Sequence, residues 1–311
     1  TYTTANWDTA ADHFQVHALD ANTGEKLWTF VVEHSTRAAP AVFDGLVYVC
    51  TGDENQRGKM YAIDAYTGQK RWAVGTKEYL WSTPIIDNGL VHFNSQHGMY
   101  AVDAETGQKR WAIAVEEGIF APPTLIDDAL YVGTTKGVCY SIDAVTGKQI
   151  DAFSDVGNIY AAVQTADKVI CVGRQNEGLY GDDTTGKTLW YSIIDKDVSG
   201  GGLTTSDGVI YIGSHGHSYS DSARERLFAI DAATGDQLWV ETIKNVIDSI
   251  PVVVDGILYV TTFGGGLYAL NAAQGKVMAS AIVGRGKLSR VAVDNGIVYV
   301  SNGEIHAFQQ S

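Results

Sequence analysis

The chain has little sulfur and little proline: three cysteines, three methionines and five prolines in 311 residues. Cys50, Cys139 and Cys171 are widely spaced and form no Cys-x-x-Cys pair. That excludes a zinc knuckle and a thioredoxin-type redox site. Each lies in an apolar run, "LVYVC", "GVCYSI" or "VICVG", and reads as a small buried hydrophobe. No run of about 18 apolar residues exists, so no segment is suited to cross a membrane as a helix. The opening stretch "TYTTANWDTA" has neither a basic n-region nor an apolar h-region, so the expectation is that a signal peptide was removed or never present. Basic residues are outnumbered, 22 Lys plus Arg against 36 Asp plus Glu, for a net charge of −14. A nucleic-acid backbone is therefore not an expected partner. Helical periodicity is missing throughout. So are G-x-S-x-G, H-E-x-x-H, the P-loop and a G-x-G-x-x-G leading into a helix.

What is plentiful is glycine, 34 residues, and repetition. "YAIDAYTGQKRWAV" from Tyr61 returns as "YAVDAETGQKRWAI" from Tyr100. The same pattern recurs from Val16, Tyr140, Tyr180, Phe228 and Tyr268, and its opening returns from Ile305. Its anchor residues are Asp20, Asp64, Asp103, Asp143, Asp182, Asp231 and Asn271, with spacings of 44, 39, 40, 39, 49 and 40. Repeats of this length signal a propeller, solenoid or array.

Each unit parses into four short strands, A to D. In residues 40–74 these are "PAVF", "LVYVCT", "KMYAID" and "KRWAV". Asp-Gly or Asn-Gly pairs at 44–45, 88–89, 207–208, 255–256 and 295–296 suit two-residue hairpins between A and B. D-A-x-T-G suits the C–D turn, with the Asp and Thr oxygens bonding nearby backbone and Gly taking the left-handed conformation. A four-stranded sheet cannot bury both faces alone, so sheets must stack. Stacking requires the same docking surface in every unit, and that is why the sequence repeats. The tryptophan eight residues after the anchor, Trp28, Trp72, Trp111, Trp190 and Trp239, is expected to wedge between sheets; Asp151 and Ala279 replace it in two units.

The pattern A-[LIV]-D-A-x-T-G-x-x-x-W resembles the PQQ-like β-propeller repeat over essentially all 311 residues. The family resembled includes quinoprotein dehydrogenases, BamB-like outer-membrane assembly lipoproteins and sensor domains. The resemblance implies an all-β fold: a single propeller domain, residues 1–311, of four-stranded antiparallel blades. Eight C-strand motifs imply eight blades; the alternative is seven, closed by a composite blade. The first unit shows no strand A and the last no strand D.

The A–B and C–D turns are short and uniform, whereas the B–C and D–A loops differ between units. Recognition is expected on the variable face. Seven residues before each A–B turn acid lie Arg37, Trp81, Phe120, Tyr160, Gly200, Asp248 and Leu288. These should rim a central channel, with Arg37, Trp81, Phe120, Tyr160 and Asp248 as the binding candidates. The competing reading makes them plain core. His215-x-His217 with Asp221 has metal-ligand chemistry, but a surface loop with two histidines is commoner, and no metal is expected. No catalytic pair stands out among the carboxylates.

The function expected is a non-catalytic, extracytoplasmic binding scaffold for protein–protein interaction or sensing, which takes a protein partner or small ligand and needs no cofactor. The alternative is a PQQ-dependent alcohol or sugar dehydrogenase. Quinoproteins of that class resemble this chain but are about twice as long, and many use an adjacent Cys-Cys pair and a Glu, Asn and Asp calcium site. Neither is matched here.

Overall fold

The computed structural model describes residues 2–5, 14–21, 23–36, 38–53, 57–80, 82–119, 122–154, 159–164, 170–174, 178–183, 187–194, 203–214, 224–247, 249–284, 288, 291–294, 296–301 and 305–309. Among them there is no helix, only strands, turns and bends. The chain falls into two compact units, Thr1–Thr135 with Cys139–Ala152, and Lys136–Val138 with Phe153–Ser311.

The first unit holds four antiparallel sheets. Their strands are Tyr2–Ala5, Phe14–Leu19 and Lys26–Val32 in the first; Ala41–Phe43, Leu46–Gly52, Gly58–Asp64 and Lys70–Thr76 in the second; Ile85–Asp87, Leu90–Asn94, Gly98–Asp103 and Lys109–Ala114 in the third; and Thr124–Ile126, Ala129–Gly133, Val138–Asp143 and Gln149–Ser154 in the fourth. The second unit continues with Ile159–Gln164, Ile170–Arg174, Gly178–Asp182 and Thr188–Ser192 as the fifth sheet; Leu203–Ser206, Val209–Gly213, Arg224–Asp231 and Gln237–Lys244 as the sixth; Val252–Val254, Ile257–Thr262, Gly266–Asn271 and Val277–Ile282 as the seventh; and Ala292–Asp294, Ile297–Ser301 and Ile305–Gln309 as the eighth. Strands pair in chain order in every sheet, so each sheet is a meander.

Six sheets have four strands, and the first and last have three. Among the described residues, complete blades therefore number six, not the eight or seven expected. The reason is at the two ends: the first sheet has strands B, C and D, and the last has A, B and C, among the described residues.

The turns form for the reasons the sequence suggested. Asp44, Asn88, Asp207 and Asp255 have φ of 45°, 47°, 51° and 50°, and the glycine after each lies between 72° and 75°. This is the left-handed geometry of a type I′ hairpin, whose twist matches that of the strands. Asp127 adopts φ 49° in the fourth sheet although Asp128, not glycine, follows it. In the C–D turn, Asp64 Oδ1 accepts from the Thr67 N–H at 2.9 Å and from the Thr67 hydroxyl at 2.9 Å, while the Gly68 N–H donates to the Asp64 carbonyl at 2.9 Å. Asp20, Asp103, Asp143 and Asp231 repeat the side-chain bonds with Thr23, Thr106, Thr146 and Thr234. The fifth sheet departs: Asp182 accepts from the Thr188 hydroxyl, and Asp183 accepts from the Lys187 N–H. The two kinds of turn are fastened together, since the Ala65 N–H donates to the Gly45 carbonyl at 2.8 Å and the equivalent bond recurs at Ala104–Gly89, Ala144–Asp128, Ala232–Gly208 and Ala272–Gly256. They therefore share one end of each of these sheets.

Each unit's core is a series of apolar layers between successive sheets. The tryptophans fasten these layers. Trp72 Nε1 donates to the Ala104 carbonyl of the following sheet at 3.0 Å, and its ring lies against Gly107, where a Cβ would come within 2.6 Å of the indole. Trp28 does the same with Ala65 and Gly68, Trp111 with Ala144 and Gly147, Trp190 with Ala232 and Gly235, and Trp239 with Ala272 and Gly275. The D-A-x-T-G turn is thus a socket. Its alanine carbonyl takes the indole N–H, and its glycine, at φ 71° in Gly107, clears space for the ring.

Candidate recognition face

The B–C loops and D–A segments lie at the end of each sheet opposite the fastened turns. There the D–A segment reaches the end of strand B through single bridges, Ser35 to Gly52, Leu80 to Ser95, Ile119 to Thr134 and Ile247 to Thr262. Leu80, Ile119 and Ile247 are fully buried, so apolar packing anchors the chain as it enters strand A.

Of the rim candidates, Arg37, Trp81, Phe120, Gly200 and Asp248 lie outside the described residues, and for Tyr160 only the backbone, in strand Ile159–Gln164, is described. What is described is their setting. Thr36 and Ala38 flank Arg37, Leu80 and Ser82 flank Trp81, and Ile247 and Ser249 flank Asp248; all six are buried. Ser82 Oγ accepts from the Asn94 N–H at 3.2 Å, and Ser249 Oγ accepts from the Thr261 N–H at 3.0 Å. These hydroxyls continue the ladder where strand A has not yet begun. Leu288, in the same phase but not among the binding candidates, is buried in the apolar layer of the last two sheets, with Val291 and Val298. His215, His217 and Asp221 also lie outside the described residues. Among the described residues no cluster of three His, Cys, Asp or Glu could hold a metal ion.

The ionisable side chains described on this face hold loops in place. Glu78 Oε2 accepts from Ser95 Oγ at 2.7 Å and from the His97 N–H at 2.8 Å, with His97 Nδ1 3.5 Å from the other oxygen. Glu117 accepts from the Tyr140 hydroxyl at 2.9 Å; burial first, then this bond, raises the Tyr140 pKa above its ordinary value. Asp53 accepts from the Arg57 N–H at 2.8 Å and from its guanidinium at 2.8 and 3.0 Å. These bonds, the backbone one foremost, hold the Asp53 carboxyl below its ordinary pKa. Ser35 Oγ is 3.2 Å from the Tyr79 hydroxyl, joining the D–A segments before the second and third sheets. Chemically this face is a set of braced loops with carboxylates already engaged, suited to present a fixed surface.

The sequence reading passed over these braces, although Glu78 and Glu117 stand at one repeat position, fourteen residues after the anchors Asp64 and Asp103. It also passed over a tyrosine of strand B that does recur in phase, and that was visible in "LVYV", "ALYV", "VIYI", "ILYV" and "IVYV".

Comparison with known families decides the kinship. The family profile described as outer membrane protein assembly factor BamB matches residues 12–152, 94–175 and 175–278. The chain belongs to this family of PQQ-like repeat β-propellers. Among curated proteins, the outer membrane protein assembly factor BamB of Moranella endobia (strain PCIT) is 24% identical over 193 residues, covering 57% of this chain and 47% of that protein. That of Yersinia pestis is 26% identical over 183 residues, covering 55% and 45%. The chain thus aligns with somewhat less than half the length of these relatives. Among solved structures, BamB from Moraxella catarrhalis superposes with a TM-score of 0.71 at 19% identity, covering 98% of this chain and 95% of that one. A quinohemoprotein alcohol dehydrogenase, ADHIIG from Pseudomonas putida HK5, superposes with a TM-score of 0.74 at 15% identity, covering 96% and 70%. At such identities the likeness concerns the fold, which is that of a β-propeller.

Proposed function

We propose that this chain is a non-catalytic, protein-binding scaffold that acts outside the cytoplasm in outer-membrane protein assembly. Residues 1–311 act as one propeller domain, and the B–C and D–A loop face, with Arg37, Trp81, Phe120, Tyr160 and Asp248, meets the partner. One observation carries this reading: the family match over most of the chain, to proteins named as assembly factors. The braced loops support it. Glu78, Glu117 and Asp53 are each committed to a hydrogen bond that shapes a loop, and a rigid, variable surface is what a binding scaffold requires. No cofactor enters this reading. The paired-thiol feature of many quinoproteins does not fit, because Cys50 and Cys139 are buried in different sheets and no two cysteines adjoin in the chain.

The test is complementation. Expression in the periplasm of a bacterium deleted for its own BamB should restore outer-membrane protein levels. A Trp81→Ala/Phe120→Ala variant should lose that effect by about tenfold or more in partner affinity while its Tm stays within a degree or two of the parent. Turnover in dye-linked alcohol oxidation after addition of PQQ and Ca²⁺ would overturn the reading.

A further inference from the structure

Six of the eight sheets carry a tyrosine at one point of strand B, Tyr2, Tyr48, Tyr131, Tyr211, Tyr259 and Tyr299, each register-paired with a small residue of strand C. In the third sheet that point is His92, paired with Ala101, which pairs in turn with Trp111. The corresponding row of the second sheet is Tyr48, Ala62 and Trp72. There the Tyr48 hydroxyl and the Trp72 N–H donate to one acceptor, the Ala104 carbonyl of the next sheet, at 3.1 and 3.0 Å. Tyr211 and Trp239 converge on the Ala272 carbonyl in the same way, at 3.3 and 2.9 Å.

His92 takes the ring position but not the bond. Its ring centroid is 5.7 Å from that of Trp111, as Tyr48 is 5.9 Å from Trp72. Trp111 reaches the Ala144 carbonyl at 2.9 Å. His92 is fully buried, yet neither Nδ1 nor Nε2 has a hydrogen-bond partner among the described residues. An imidazole reaches less far from the backbone than a phenol, so the ring nitrogens of His92 make no bond to that carbonyl. Two residues on, and so on the same face of the strand, Asn94 is 1% exposed and its Oδ1 is likewise unpartnered. Buried polar groups left without partners are costly, and ordered water with two to four protein partners is the usual remedy.

We propose that the layer between the third and fourth sheets is a hydration site, in which a buried water molecule bridges the histidine ring to the carbonyl that a tyrosine hydroxyl meets directly in the sister layers. It accepts the ring N–H of His92 and donates to the second lone pair of the Ala144 carbonyl, with Asn94 Oδ1 as a further acceptor on the same face. The ligand is water, because the groups left without partners are the ring nitrogens of one imidazole and one amide oxygen, which a single water can join to the carbonyl.

Crystal structures at a resolution that shows ordered water, with Tm measurements, test this on the parent chain, His92→Tyr and His92→Phe. The parent should show water within hydrogen-bonding distance of His92 and the Ala144 carbonyl. His92→Tyr should displace it, set its hydroxyl on that carbonyl and raise the Tm by a few degrees. His92→Phe should contain neither water nor hydroxyl and melt below the tyrosine variant. A dry layer in the parent, with His92 bonded directly to protein atoms, would overturn the proposal, as would equal Tm values for the two variants. If neither variant folds, the parent's density decides alone.

Discussion

The joint between the second and third sheets and the joint between the third and fourth are built on one plan with one exchange. Both set a tryptophan, 8% exposed, into the alanine and glycine of a D-A-x-T-G turn. The first adds a tyrosine whose hydroxyl reaches the same carbonyl, and the second has a histidine that does not. The first joint hides its polar atoms in a closed set of bonds. The second carries a group that can take a charge, with no protein partner described for it. The indole bond and the socket contact are thus kept whether the neighbouring position holds a tyrosine or a histidine.

Removing the shared element should have the largest effect. Trp72→Ala and Trp111→Ala should each lower stability by roughly 3–5 kcal/mol, as truncation of a buried aromatic does, read from the midpoint and slope of urea unfolding. A cost below about 1 kcal/mol at either site would mean that the apolar layer and not the wedge holds the sheets together.

Acid should separate the two joints next. Burial lowers the pKa of His92 from 6.5 to about 4, against a smaller opposing pull from Asp87. Above pH 6.5 both folded and unfolded chains hold a neutral imidazole, and stability does not depend on it. As pH falls from 6.5 toward 4, the unfolded chain binds a proton that the folded chain excludes, so stability falls. The full loss is about 3 kcal/mol, reached near pH 4 and constant below it. The turn carboxylates do not blur this window, because Asp64, Asp103, Asp143 and Asp231 are shifted below 3.8 by their hydrogen bonds. His17 is shifted downward in the same sense, first by burial and then by Lys26, so the measurement is the difference between parent and His92→Tyr. Unfolding curves of the two that stay parallel from pH 7 to pH 4.5 would refute the assignment.

Tyr48→Phe should have the smallest effect, about 1 kcal/mol. The ring still packs on Trp72, and the Ala104 carbonyl keeps its bond from the indole. The same substitution should also remove the hydroxyl whose pKa burial raises to about 12. Its loss is read as one fewer tyrosine titrating late in an alkaline absorbance scan.

Much of this was legible in the sequence because repetition separates scaffold from variation. The wedge tryptophans and the left-handed Asp-Gly and Asn-Gly turns follow from phase and from the steric demands of positive φ. The left-handed Asp127 was not legible, because Asp128 follows it and the Asx side chain alone tolerates that conformation. The altered fifth turn was not legible either. Asp182 and Gly186 stand in phase, but with Asp183 in place of alanine the side-chain bonds shift by one residue. For Leu288, phase left rim and core open as alternatives, since it locates a residue along the strand and says nothing of what covers it; the side chain is buried. The engaged carboxylates of the loop face were invisible for a related reason. Their partners, Ser95, Tyr140 and Arg57, are set by tertiary contact, which a repeat pattern does not encode.

The cassette D-A-x-T-G-x-x-x-W carries both halves of a joint, a socket for the sheet before it and a wedge for the sheet after it. A tandem duplication of one repeat therefore inserts a sheet that already fits both of its neighbours, and an in-frame deletion brings a matching wedge and socket together. Such an array can lengthen or shorten by unequal recombination without any new complementary surface having to arise. The two halves also go together within this chain: Asp151 stands in the wedge position ahead of the repeat that carries Asp183 in place of the socket alanine, whereas each of the five wedge tryptophans is followed by a repeat that keeps the socket alanine and glycine.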